Sequence, residues 1–155
     1  MKTYHFKQTQ IVNADIDTVW NFFSSPRNLN KITPPEMNFE IVDMGGTEEM
    51  QKGQIIRYKV SPFSLHRVLW TTEIVDVDLK KFFVDSQKVG PFAMWRHEHT
   101  FTSMADHVKM TDHVIYSMPF GFIGRLINKL VVQDRVNKIF EYRRKEIESI
   151  FPSKV

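Results

Sequence analysis

Hydrophobic and polar positions alternate along most of this chain, and where the alternation stops a helical spacing takes over. Tyr4 and Phe6 open a period-two run that reaches Val12, the pattern of a strand with one face turned to a core. Asn13-Ala14-Asp15 breaks the run and offers a helix cap, with Asp17 set for the positive end of the dipole. Ile16, Val19, Trp20 and Phe23 follow at helical spacing and make one apolar side. Ser24-Ser25-Pro26 ends this helix, and a second short one from Arg27 to Ile32 is stopped by Pro34-Pro35.

Period two returns at Asn38. It predicts strands over residues 38–44, 53–61, 66–77, 81–88, 93–103 and 107–118. Their separators are Gly45-Gly46, Pro62-Phe63, Asp78 to Lys80, Gly90-Pro91 and Ala105-Asp106. Short connections between consecutive strands imply an antiparallel meander, and strands near ten residues long favour a strongly curved sheet. Beyond Pro119, Leu126, Leu130, Val136, Phe140 and Ile147 repeat at helical spacing, with Ile123, Ile127, Ile139 and Ile150 alongside. This predicts a C-terminal helix of about 29 residues, about 45 Å long. Its apolar start, Phe120 to Val132, is expected as a buried seam, the alternative being a surface that dips into a membrane to load lipid. Gly121 and Gly124 mark a close backbone approach or a bend at its beginning.

These elements assemble as one α+β domain over residues 1–155, a curved antiparallel seven-stranded sheet wrapped around a long C-terminal helix. Two short helices after the first strand plug one end. A straight helix cannot follow a curved sheet everywhere, so a cavity between them is expected.

Composition narrows the chemistry. There is no Cys, which removes disulfides, thiolate catalysis and Cys-based metal sites together. No uncharged run approaches the roughly 18 residues a membrane-spanning helix needs, and the polar stretch from Lys2 to Gln10 lacks the apolar centre of a signal peptide. The expectation is a cytoplasmic protein without stable membrane insertion. The net charge of +3 is held entirely by the segment from Phe122 to Phe151, with seven basic and four acidic residues. That is a solvated helix face, and no nucleic-acid partner is expected from it.

The candidate chemistry lies in the run after Gly90-Pro91-Phe92. Trp95, His97, His99 and Phe101 fall on one side of a strand, with Arg96, Glu98, Thr100 and Thr102 on the other. An ordinary core has no packing reason to hold two imidazoles. If the last hairpin turns at Ala105-Asp106, Met104 pairs with His107. His99 then lies opposite Asp112, His97 opposite Val114 and Trp95 opposite Tyr116. A one-residue slip would turn Asp112 to the other face. An Asp across from a His holds one tautomer and raises the imidazole's pKa. In the preceding strand the binary pattern places Phe82 and Val84 on the inner face.

The order of elements resembles the helix-grip fold of the START/polyketide-cyclase (SRPBCC) superfamily, over essentially the whole chain. The matching stretches are Ala14 to Trp20, Pro26 to Pro34, Asp85-x-Gln87, Gly90-Pro91-Phe92, Trp95-x-His97-x-His99 and Asp112-x-x-x-Tyr116-x-x-Pro119. They are closest to a bacterial ligand-binding subgroup. Against the binary pattern, the resemblance places Asp85 and Gln87 inside, near His97 and Trp95.

The superfamily includes carriers, receptors, aromatases and cyclases, so fold alone decides little. The leading expectation is a non-enzymatic carrier or sensor of a small hydrophobic or amphipathic molecule, a lipid, polyketide or aromatic. Trp70, Trp95, Phe101, Met110, Val114 and Tyr116 would line its pocket. His97, His99, Asp112, Asp85 and Gln87 would fix one polar group. The alternative is an aromatase/cyclase or dehydratase in which His99, polarised by Asp112, moves protons. No cofactor is expected. No metal is expected either, because a cupin-like His-x-His set also wants a Glu where this chain has Ser103.

Overall fold

The computed structural model describes residues 1–63 and 66–154. Strand β1 (Thr3–Val12) runs into helix α1 (Ile16–Phe23), where the Asp15 carboxylate accepts from the Thr18 amide at 2.9 Å as the expected cap. Val19 and Trp20 are the buried residues of α1. A 3-10 turn (Pro26–Ile32) follows, and Thr33 closes it by donating its hydroxyl to the Leu29 carbonyl at 2.6 Å. A second 3-10 turn (Pro35–Met37), which the sequence pattern does not predict, comes next. Pro at its first position pre-sets φ there, and Asn38 ends it in the left-handed conformation.

The remaining strands are β2 (Glu40–Asp43), β3 (Ile55–Val60), β4 (Val68–Asp78), β5 (Phe82–Val89), β6 (Met94–Ser103) and β7 (Val108–Ser117). They form one seven-stranded antiparallel sheet in the order β1-β7-β6-β5-β4-β3-β2. Strands β2 and β3 are shorter than the pattern predicts. Gly45 and Gly46, at φ 77° and 79°, turn the chain out of the ladder, and the Asp43 carboxylate accepts from Gly45 N at 2.8 Å. The Gln54 amide then pins the loop by donating to the Met44 and Thr47 carbonyls.

The C-terminal helix runs without interruption for 30 residues, as α2 (Gly121–Ile127), a π turn (Asn128–Val132) and α3 (Gln133–Ile150). In α3 the expected seam is buried, at Val136, Phe140 and Ile147. The first half departs from expectation. There the buried positions are Gly124, Asn128 and Val132, four apart, while Ile123, Leu126, Ile127 and Leu130 are exposed. Gly124 lets the helix approach the Pro119 carbonyl, and Asn128 accepts from the Tyr116 hydroxyl at 2.8 Å. A seam made of a glycine and an asparagine carries no hydrophobic signal, so periodicity selects the wrong stripe. The π turn adds a residue to one turn and offsets the two halves.

Two clusters make up the core. Val12, Val19, Trp20, Phe101, Val108, Met110 and Ile147 pack at one end. Val114, Tyr116, Val132, Val136 and Phe140 pack with Trp70 and Phe92 at the other. Replacing Gly124→Ala drives a Cβ into the Pro119 carbonyl, a backbone atom with little room to move. It is expected to cost about 1–3 kcal/mol, read as a lowered urea midpoint, although alanine is the better helix former.

Candidate functional site

Strand β6 supplies the centre of the site by its alternation. His97 and His99 are both buried and point to the concave face, with Phe101 beyond them, while Arg96 and Glu98 pair with each other on the outer face at 3.2 Å. The β6–β7 register sets His99 against Asp112, His97 against Val114 and Trp95 against Tyr116. The turn begins with Met104 N donating to His107 O. The β5–β6 register sets Asp85 against His97 and Phe83 against His99.

These pairings bring four ionisable side chains into one buried group. His97 Nε2 lies 2.8 Å from Asp112 Oδ1, while its Nδ1 is 3.9 Å from Asp85. His99 has its Nε2 2.9 Å from Asp85 Oδ2 and its Nδ1 3.1 Å from Asp112 Oδ1. The imidazole rings lie against each other, tilted by 33° with centroids 3.6 Å apart, and Phe83 stacks on His99 at 4.1 Å. Both nitrogens of His99 face carboxylate oxygens, and a neutral imidazole has only one N–H. Two acceptor oxygens facing His99 favour its charged form, which alone can donate on both sides. Burial alone would lower its pKa, but the hydrogen bonds and charges of Asp112 and Asp85 outweigh burial and raise it. His97 moves the other way, pulled down by burial and by the neighbouring imidazole. Burial would raise the Asp112 pKa, yet the two histidines hold it well below the usual carboxylate range.

A cavity of about 180 Å³ opens beside this group, between the sheet, the 3-10 turn Pro26–Ile32 and α3. A single water needs about 10–15 Å³, so this is far more than a packing defect. Its wall is mostly apolar, with Ile56, Tyr58, Trp70, Phe83, Trp95 and Phe140 on it. Ser25, Asn28 and Thr33 line it from the 3-10 turn and Arg135 from α3, and the remaining polar residues gather at one corner. There Asp85, His97, His99 and Asp112 are joined by Arg143 from α3 and by Tyr58 and Thr72. Arg143 donates its Nε to the Ile32 carbonyl at 3.4 Å, and its guanidinium lies 5.0 Å from the Phe140 ring centroid. Burial lowers the Arg143 pKa, while the Asp112 and Asp85 charges favour its cationic form. Burial also pushes the Tyr58 phenol up.

No family model matches this chain, and no curated protein matches it. Solved structures do. Protein CV1439 from Chromobacterium violaceum superposes with a TM-score of 0.73 at 9% identity, covering 97% of this chain and 99% of that one. Ginseng major latex-like protein 151 from Panax ginseng gives 0.67 at 13% identity, covering 97% and 99%. The ZhuI aromatase/cyclase from Streptomyces sp. R1128 gives 0.66 at 16% identity, covering 96% of both chains.

The chain has the helix-grip fold. The resemblance to the START/polyketide-cyclase superfamily thus holds at the level of architecture.

Within this helix-grip framework Trp70, Asp85, Trp95, His97, His99 and Asp112 all line the cavity. Five other expected residues do not. Gln87 turns away, donating its amide to the Phe92 carbonyl at 2.8 Å and accepting from Phe92 N, so it braces the Gly90-Pro91-Phe92 turn. Phe101 and Met110 lie in the core cluster under α1, and Val114 and Tyr116 in the cluster under the C-terminal helix. Their side chains have the inward parity, but the helices rest directly on them. The helix lies close over β1, where Gln10 donates to the Arg144 carbonyl at 2.9 Å, and the gap opens toward β3, β4 and β5, with Trp95, His97 and His99 of β6 and Asp112 of β7 also on its wall. In β5 the inner positions are Phe83 and Asp85, not the Phe82 of the binary pattern; Phe82 is only half-buried and lies off the cavity.

Charge alone places Arg143 among the solvated cations of Phe122 to Phe151, whereas the structure puts it on the cavity wall. Its place three residues after Phe140 and four before Ile147, on the seam, is the signal that finds it. Asp85, His97 and His99 also offer ligand atoms within 4.8 Å of one another, a donor set suited to a divalent cation. Both nitrogens of His99 are already directed at carboxylates, so an ion there would have to displace a proton.

The raised pKa of His99 gives the site a pH signature. A group whose folded pKa exceeds its unfolded value, about 6.5 for histidine, adds stability that is complete below 6.5 and disappears as pH climbs through the folded pKa. Urea titrations across this window should show the stability gap between wild type and His99→Gln narrowing as pH rises. A gap independent of pH would mean that His99 is neutral in the folded protein.

Proposed function

We propose that the protein binds a small hydrophobic or amphipathic molecule in this cavity. The observation that carries the reading is a mostly apolar, aromatic-walled space of about 180 Å³ with a cluster of ionisable groups, Asp85, His97, His99, Asp112 and Arg143, on one part of its wall. Such a space suits a ligand with an apolar body and one polar end. Arg143 can donate to an oxygen of that end, while Asp85 remains partly open as an acceptor, its side chain 18% exposed. A neutral carbonyl or hydroxyl fits this pairing of donor and acceptor. Among the described residues no helix is long and apolar enough to cross a membrane.

Titration with fluorescent fatty-acyl and aromatic ketone probes tests the reading. Trp70 and Trp95 stand on the cavity wall, whereas Trp20 packs against Phe83 and Phe101 in the core. Quenching of tryptophan emission should therefore survive in Trp20→Phe. Arg143→Leu should weaken carbonyl-bearing probes about tenfold, the scale of one lost hydrogen bond to a charged group. Failure of every probe to bind would defeat the proposal.

A second reading has its own support in the name of one structural neighbour, an aromatase/cyclase. The imidazolium of His99, held between Asp85 and Asp112 at the edge of the cavity, is placed to give a proton to a carbonyl oxygen. If the protein is an enzyme, His99→Gln should abolish turnover of a poly-β-keto substrate analogue while leaving its binding intact. Equal binding and no turnover in either form identifies the carrier.

A further inference from the structure

The start of the C-terminal helix carries an exposed apolar surface that the cavity does not account for. Phe120 is 79% exposed, Phe122 69%, Leu130 68%, Leu126 53%, and Ile123 and Val131 51% each, with Ile127 at 42%. At 100° per residue these positions cover about half the circumference of the helix. A folded monomer seldom leaves a contiguous apolar surface of this kind in water.

The charges beside it distinguish among possible partners. Arg125 and Lys129 stand one turn apart along one border of the apolar arc, between it and the buried Gly124–Asn128 side. Both are exposed, and neither has a carboxylate within ion-pair distance among the described residues. From His113 to Gln133 the sequence contains no Asp or Glu at all. The pairing of Thr3 with Ser117 also sets Met1, 85% exposed, and Lys2 beside the chain that leads into Phe120.

We propose that Phe120, Phe122, Ile123, Leu126, Leu130 and Val131 dock the protein reversibly on an anionic lipid surface, with Arg125 and Lys129 at the headgroups. An interfacial helix of this type buries its apolar side at the acyl boundary while its cations stay at headgroup level. The same face is poorly made for a second copy of the chain. Two such faces brought together would oppose cations to cations, with no acidic residue in the segment to answer them. This docking is separate from the cavity, since Leu126 and Leu130 are not on its wall.

The full chain should co-sediment with phosphatidylcholine vesicles containing phosphatidylglycerol, and only weakly with phosphatidylcholine alone. Added salt should release it. Arg125→Gln and Lys129→Gln should each reduce binding about fivefold, since a cation near an anionic surface contributes about 1 kcal/mol. The double variant Leu126→Ser/Leu130→Ser should lose binding while its circular dichroism, melting temperature and cavity-probe affinity stay unchanged, because both side chains are exposed. Absence of wild-type binding to every vesicle overturns the proposal, as does binding that the double variant retains. A wild-type dimer in sedimentation equilibrium that becomes monomeric in the double variant also overturns it and assigns the face to self-association.

Discussion

A straight helix laid on a curved sheet can touch only part of it, and the organisation of this protein follows from where contact is made. The C-terminal helix rests closely over β1 and β7, where Phe140, Val136 and Ile147 meet Phe6, Val114, Met110 and their neighbours. Toward β3, β4 and β5 the sheet curls away. The 3-10 turn Pro26–Ile32 closes the gap from the side without filling it. The cavity is thus a consequence of curvature, and its aromatic wall is what the strands on that side present inward.

Placing two carboxylates beside this gap would be costly without compensation, because burial strongly disfavours isolated charge. The structure answers with geometry. Asp112 receives both histidines, Asp85 receives His99, and Arg143 approaches from the opposite layer. The two imidazoles differ although they stand two residues apart on one strand. His99 faces an oxygen on each side, whereas His97 has only one within hydrogen-bonding distance. Position relative to Asp85 separates the two roles.

Much of the architecture was legible because strands announce themselves by parity. The order of elements, the β6–β7 register and the opposition of His99 and Asp112 all follow from alternation and one turn. Parity says which face a residue takes. It does not say what covers that face, which is why Phe101, Met110, Val114 and Tyr116 point inward yet meet helices instead of open space. Phe83 was hidden for a different reason: on β5 a valine, Val84, lies opposite outward-facing Glu98 while Asp85 turns inward, so the binary pattern selects the wrong parity and only the resemblance placed Asp85 inside. Arg143 and the Gly124–Asn128 seam were missed because a charged residue, a glycine and an asparagine are read by default as exposed or neutral. Only their contacts show otherwise.

The polar corner is electrically self-compensating. Two carboxyl groups stand against two basic side chains, His99 and Arg143, with His97 pushed toward its neutral form. A guest that arrives with a full charge of its own upsets this balance and must exchange a proton with the protein or with water to settle. An uncharged guest need not. Under the proposed function the corner would therefore discriminate by ionisation state, taking ketones and alcohols ahead of acid or amine counterparts of similar size.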